Sequence, residues 1–172
     1  MRPSLAPRVS FKAQMLQVRE DAIVASVGRL LAAKGFEAMT VDEVVADVGI
    51  AKASLYKHFP GKEELATAAV VRLLRQALEQ CSALPADGAP LQHLRAMLQW
   101  ALERRLEGAM PALPIQNSTL RAALQASHAC ITALGALSAR LQAWVEAAQL
   151  QGTISPALPA TVVVQALYAR AC

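Results

Sequence analysis

The sequence predicts an all-α chain, with a three-helix head at its N-terminal end and a helical bundle behind it. Three observations carry this. Hydrophobic residues make up 55% of the 172, and many are Ala and Leu, which favour helices. Apolar positions recur at three- and four-residue steps, the period of a helix with one buried face. Gly and Pro mostly punctuate these segments, at Gly35, Gly49, Pro60-Gly61 and between Pro85 and Pro90. Nothing resembles a run of strands. The length allows one fair-sized core or two small ones, and the pattern divides 1–62 from 63–172.

Residues 1–12 are Pro-rich and basic and predict a poorly ordered, flexible arm. Arg2, Arg8 and Lys12 on it could reach along a DNA backbone. The first helix is expected from about Lys12 or Val18 to Lys34, with Ile23, Val24, Val27, Leu30 and Leu31 inward and Gly35 as its stop. Thr40 followed three residues later by Glu43 is a capping box for the second helix. Val41, Val44, Val45 and Val48 form its apolar face, and Gly49 ends it where a positive φ costs little. In the third helix Ile50 and Leu55 are spaced to plug onto the second, and Phe59 closes the unit. The residues left over include Lys52, Ser54, Tyr56, Lys57 and His58, none of them acidic. A short helix with this polar, basic face fits the major groove of B-DNA.

The stretch from Gly49 to Phe59, followed by Gly61-Lys62-Glu63-Glu64-Leu65, resembles the signature of the tetracycline-repressor (TetR) family of bacterial transcription regulators. The likeness covers roughly residues 20 to 66. Its specific parts are Thr-x-x-Glu, Leu-Tyr-x-x-Phe and Lys-Glu-Glu-Leu in this order. Val45 departs from the small residue usual in the family. Ala51 stands where a Ser or Thr cap is usual, and Ala caps poorly. The resemblance implies a homodimeric, ligand-responsive regulator, most often a repressor, binding palindromic operator DNA. By residue type and family pattern, Lys52, Ser54 and Lys57 are candidates for base edges or phosphates. Thr40, Tyr56, His58 and Lys62 are candidates for phosphates.

Charge agrees with this placement. The chain carries +4, and residues 1–62 hold nine Lys/Arg against six Asp/Glu, while 63–172 hold eight against seven. A basic excess beside the motif is the footprint of a nucleic-acid partner.

A fourth helix is expected from Gly61 to about Ala83, with Leu65, Ala69, Leu73, Ala77 and Leu78 inward and Glu63 and Glu64 at its dipole-positive end. Pro85 to Pro90 reads as a linker. A fifth helix follows from about Leu91 to Glu107, with Leu94, Met97, Leu98, Ala101 and Leu102 inward. Residues 108–117 read as irregular. One long helix is expected from about Ser118 to Leu150, with Leu120, Leu124, Ile131, Leu134, Leu137, Leu141, Trp144, Val145 and Ala148 inward. The last segment, Ala160 to Cys172, is apolar nearly all round and calls for burial on more than one side. The chain stops there without a polar tail, which implies either truncation or cover by another subunit.

Residues 63–172 thus predict an effector-binding and dimerisation bundle, since bundle interiors hold small ligands. Met97, Trp100, Met110, Leu113, His128, Cys130 and Trp144 are the larger or softer residues expected towards its centre. Met97, Trp100, Met110, His128 and Trp144 are the effector-binding candidates. With few ionisable residues inside, the effector is expected to be small and apolar or aromatic. The rival reading is a helix-turn-helix DNA-binding module without an effector. Cys81, Cys130 and Cys172 lack metal-ligand spacing, so neither metal nor cofactor is expected. His58, His93 and His128 are isolated, and phosphate loops, nucleophile elbows and zinc-helix motifs are missing, which argues against an enzyme. No segment approaches the length of about 20 apolar residues that spans a bilayer, and the N-terminus lacks a secretory core. The expectation is a soluble, cytoplasmic protein.

Overall fold

The computed structural model describes residues 10–111 and 118–171, and among the described residues it contains eight α-helices and no strand. α1 (Phe11–Ala38) starts where the Ser10 hydroxyl oxygen accepts from the Ala13 amide at 3.2 Å. Arg2 and Arg8 of the expected arm lie outside the described residues. Gly35, at φ +77°, breaks the helix as expected. The turn after it drives Phe36 into the core.

α2 (Val41–Val48) opens on the full capping box. The Thr40 amide donates to Glu43 Oε2 at 2.9 Å, and the Glu43 amide donates to Thr40 Oγ1 at 3.3 Å. Gly49 closes α2 in the left-handed region, at φ +72°. α3 (Lys52–Leu55) is a single turn without a side-chain cap, consistent with Ala51 at its start. Its hydrogen bonding continues through a turn at Tyr56–His58, where the His58 and Phe59 amides both donate to the Leu55 carbonyl. α4 (Lys62–Ala83) runs out of the head into the body.

The connection after α4 is tighter than a linker. It folds back so that His93 of α5 (Pro90–Leu106) is buried beneath it, with Nε2 2.9 Å from the Pro85 carbonyl. A carbonyl only accepts, so Nε2 carries the proton. Gly88 is required by this approach, because a Cβ there would lie 2.3 Å from His93 Nε2.

The single helix expected over 118–150 is two. α6 (Ser118–Ala126) and α7 (His128–Leu150) meet at a 79° bend. Ser127 makes the break. Its backbone is extended and its hydroxyl oxygen accepts from the Cys130 amide at 3.2 Å, so it caps α7. The bend sends Leu120 back into the head core, where it is buried with Ile23, Val27, Val44, Leu55 and Leu65. The rest of α7 packs with α4, α5 and α8 (Ala160–Ala171) in the body. There Leu137, Leu141, Val145, Leu94, Ala160 and Val164 form a second core.

Some expected inward positions face out. Leu102 is 54% exposed and Ile131 is 55% exposed, and Leu134 is only partly covered. α5 and α7 each bury one narrow stripe, and these residues flank it. α8 likewise buries Ala160 and Val164 but leaves Val162 exposed, so it is not buried all round. Among the described residues no single helix is long and apolar enough to cross a membrane.

Leu120 bridges a body helix to the head, so Leu120→Ala should destabilise the protein by about 2–5 kcal/mol through the cavity it leaves. Urea unfolding checks this. A loss below about 1 kcal/mol would mean that α6 does not cap the head core.

Candidate nucleic-acid interface and apolar cavity

α3 is anchored by one side chain. Leu55 is fully buried, Ile50 and Phe59 pack beside it, and the opposite side of the helix faces out. Lys52, Tyr56 and Lys57 are exposed, with Tyr56 46% open, and Ser54 is half-buried. Lys57 makes no ion pair among the described residues. These four form a continuous outer face.

Lys52 and the remaining candidates, Thr40, His58 and Lys62, are also engaged within the head. Thr40 is exposed, but its Oγ1 also donates to Glu43 Oε2 at 2.8 Å. Lys52 Nζ lies 2.8 Å from Asp42 of α2, which pushes the lysine's pKa up. Lys62 Nζ donates to the Glu37 carbonyl at 3.1 Å and sits 4.5 Å from the centre of the Phe36 ring. It latches the start of α4 onto the turn after Gly35. His58 is turned inward. Its side chain is 12% exposed and its Nδ1 is 2.9 Å from Glu20 Oε1 of α1. The pattern of residue types puts His58 on the outer face, whereas the turn after Leu55 rotates it towards α1.

Further polar ties hold α2 to α1. Buried Ser26 donates to Asp47 Oδ2 at 2.5 Å, and Arg29 reaches the same oxygen at 2.6 Å. Both lower the Asp47 pKa, the Ser26 bond most. Lys34 pairs with Glu43. With the Thr40 bonds this holds the Glu43 carboxyl down at about 2. None of these long-range pairs has a local sequence signal. Only the Thr40–Glu43 spacing could be read.

A cavity of about 330 Å³ lies in the body, between α4, α5, α7 and α8. Val70, Leu73, Leu74 and Ala77 of α4 form one wall, and Met97, Trp100 and Ala101 of α5 another. Met110, Leu134, Leu137, Leu141, Leu167 and Tyr168 complete it. No charged side chain lines it. Among its lining side chains Trp100 and Tyr168 carry polar groups, and the Tyr168 hydroxyl lies 3.0 Å from Ser138 Oγ. Such a space can hold an uncharged, largely apolar ligand.

Of the effector candidates, Met97, Trp100 and Met110 come together here, and His128 and Trp144 do not. The break at Ser127 leaves His128 exposed at the first position of α7. Trp144 faces the α4–α5 connection, its ring 4.8 Å from that of His93. Cys130 packs with Val70 and Val71 on the head side of the body. Leu113 lies outside the described residues. Burial raises the pKa of both the Cys81 and Cys130 thiols, which lowers their reactivity. Cys172 lies outside the described residues. Among those described, no group of three or more His, Cys, Asp or Glu side chains could hold a metal ion.

Comparison with known proteins agrees with the geometry of the head. Residues 23–69 match the family of bacterial regulatory proteins called the tetR family. Over 58 residues the chain is 40% identical to HTH-type transcriptional regulators of Mycobacterium bovis and Mycobacterium tuberculosis. That match covers 34% of this chain and 29% of each relative, so it spans under a third of their length. The fold is similar over most of the chain to solved structures. A TetR-family transcriptional regulator from Agrobacterium tumefaciens has a TM-score of 0.69 at 21% identity, covering 89% of this chain and 83% of that one. The fatty acid degradation regulator FadR of Bacillus halodurans has a TM-score of 0.63 at 13% identity, covering 96% and 82%. A gamma-butyrolactone receptor has a TM-score of 0.60 at 18% identity, covering 92% and 82%. The head, residues 23–69, thus matches the tetR family's model, and the fold of the chain is that of solved TetR-family structures.

The Glu43 carboxylate is favoured in the folded state, so its contribution is present above its ordinary pKa of 4.5 and lost as pH falls towards about 2. The thermal midpoint should drop through that window. In Glu43→Gln the drop should be shallower, because the titrating group is gone. A variant with the full wild-type slope would contradict this role for the Lys34–Glu43–Thr40 cluster.

Proposed function

We propose that this chain is a TetR-family, ligand-responsive transcriptional repressor that binds palindromic operator DNA as a homodimer in the cytoplasm and has no catalytic activity. The observation that carries the reading is the outer face of α3. Lys52, Ser54, Tyr56 and Lys57 face solvent over one buried Leu55, with no acidic side chain on that helix. A one-turn helix presented this way places side chains on base edges and phosphates of a major groove. Lys52 and Lys57 supply cationic contacts, with Asp42 competing for Lys52. Tyr56 and Thr40 supply neutral hydrogen bonds to phosphate. In this reading Lys62 and His58 orient the motif more than they touch DNA, because their side chains already have partners.

A single short helix discriminates poorly among sequences, which supports a dimer reading two half-sites about 34–36 Å apart or a multiple of that. The exposed apolar residue Val162 on α8 is consistent with a partner there. Residues 1–62 are assigned to DNA binding and 63–172 to effector binding and dimerisation, with Leu65, Ala66, Ala69 and Leu120 completing the head core. The effector is a small, uncharged apolar or aromatic molecule held by Met97, Trp100, Met110, Tyr168 and their aliphatic neighbours. Occupation of the cavity shifts α4 and with it the head, and the ligand acts only through its difference in affinity for the two positions.

Selection of bound DNA from a random pool should return a two-fold symmetric sequence, with binding that weakens steeply as salt rises. Lys57→Ala and Tyr56→Ala should each weaken that binding roughly tenfold without changing the thermal midpoint. Unchanged affinity in both would remove α3 from the interface. The neutral aromatic probe N-phenyl-1-naphthylamine should release the DNA from the wild type. It should fail to do so from Leu137→Trp, which fills the cavity. Probe binding without any release would favour a DNA-binding module that has no effector.

A further inference from the structure

We propose that Arg72 is a positioning residue for α3, acting from α4 through α1 across a surface groove that a hydrogen bond bridges. The inference rests on α3 being the DNA-reading element. Near its start α4 is set firmly into the head core by Leu65, Ala66 and Ala69. One turn further on, α1 and α4 part around an open groove of about 450 Å³. Gln17, Glu20, Asp21, Arg72 and Arg75 line it, with Phe59 at the head end.

Two polar bonds join three helices at this groove, and they meet on consecutive residues of α1. Arg72 Nη1 donates to the Asp21 carbonyl at 2.8 Å, and the Asp21 carboxylate is further off, at 3.8 Å. Glu20 Oε1 lies 2.9 Å from Nδ1 of His58. A carboxylate accepts, so the His58 proton is on Nδ1. His58 is two residues beyond Tyr56, in the turn that closes α3. Arg72 itself sits between residues that wall the apolar cavity, Val70 before it and Leu73 and Leu74 after it.

The mechanical consequence follows from the difference between the two contacts. A close-packed interface resists small displacement, because interiors have no free volume to move into. Hydrogen bonds that cross an open groove allow a small pivot and carry it to whatever they hold. A push on Leu73 or Leu74 therefore moves Arg72 with the rigid helix. Arg72 draws the Asp21 turn of α1, and Glu20 on that turn draws His58. The links are in series, so cutting either one breaks this polar route, while Leu55 stays packed in one core with Leu65 and Ala66.

Hydrogen exchange at the Tyr56, His58 and Phe59 amides tests this, since all three are bonded within the α3 turn and Arg72 touches none of them. Arg72→Ala and Glu20→Ala should each speed exchange there about three- to tenfold, with the thermal midpoint held. The double variant should exchange no faster than the faster single. That non-additivity is what links in series produce. Should Arg72→Ala fail to fold, Arg72→Lys keeps a donor but not the guanidinium geometry, and exchange should rise less. Unchanged α3 exchange in the Arg72 variant, or multiplied effects in the double variant, overturns the proposal. The measurement uses the free protein, and wild-type DNA retardation is recorded beside it. A wild type that retards no DNA sinks the DNA-reading function. A wild type that does, with an α3 indifferent to Arg72, sinks the relay alone.

Discussion

The structure depends on the continuity of α4. One unbroken 22-residue helix, about 33 Å long at 1.5 Å per residue, contributes to every hydrophobic cluster among the described residues. Leu65, Ala66 and Ala69 belong to the head core, Val70 and Val71 to a small central cluster, and Ala77 and Cys81 to the body core. A head this small is marginal as an isolated unit. By sharing α4 it gains apolar cover from the body, and Leu120 of α6 adds more from the same side. Neither end of the chain is therefore mechanically independent of the other.

That constraint explains where the polar interactions fall. The face of α4 towards α7 and α5 is apolar and walls the cavity. The face towards α1 turns polar after Ala69, and there Arg72 replaces packing with a hydrogen bond. α2 and α3 are too short to be stable helices alone. They are held by side chains from outside themselves: Ser26 and Arg29 on Asp47, Lys34 on Glu43, and Glu20 on His58. The outer face of α3 is thus ordered mainly by α1, and α1 is ordered in turn by α4.

The head was the most legible part because its signals are local. The Thr40–Glu43 spacing, Gly35, Gly49 and the Leu55–Phe59 pair each act within one turn, and each stands in the structure as the pattern predicts. The missing cap at Ala51 was also readable. The body was less legible. Ser127 sits inside a regular apolar repeat, and nothing nearby distinguishes a capping serine from one that rides on a helix surface. The choice is made by Leu120, which must reach the head core some hundred residues away in sequence from Ile23. The inward turn of His58 and the pairing of Lys52 with Asp42 are likewise long-range choices between charged groups. Met97, Trp100 and Met110 reach the cavity as their apolar character suggests. Trp144 does not, because His93 offers its ring a neighbour beneath the folded α4–α5 connection, and residue size alone cannot foretell that.

The direct test of the shared helix is the distance between spin labels at Lys57, on the proposed reading face, and Ala136, on the exposed side of α7. It is measured by pulsed electron resonance with and without N-phenyl-1-naphthylamine in the cavity. Rigid coupling through α4 predicts that the probe displaces the whole distance distribution, and that it does so less when two glycines replace Arg75 and Gln76 and soften the helix. A probe that binds while leaving the wild-type distribution unmoved would show that the cavity and the reading face are not joined through α4.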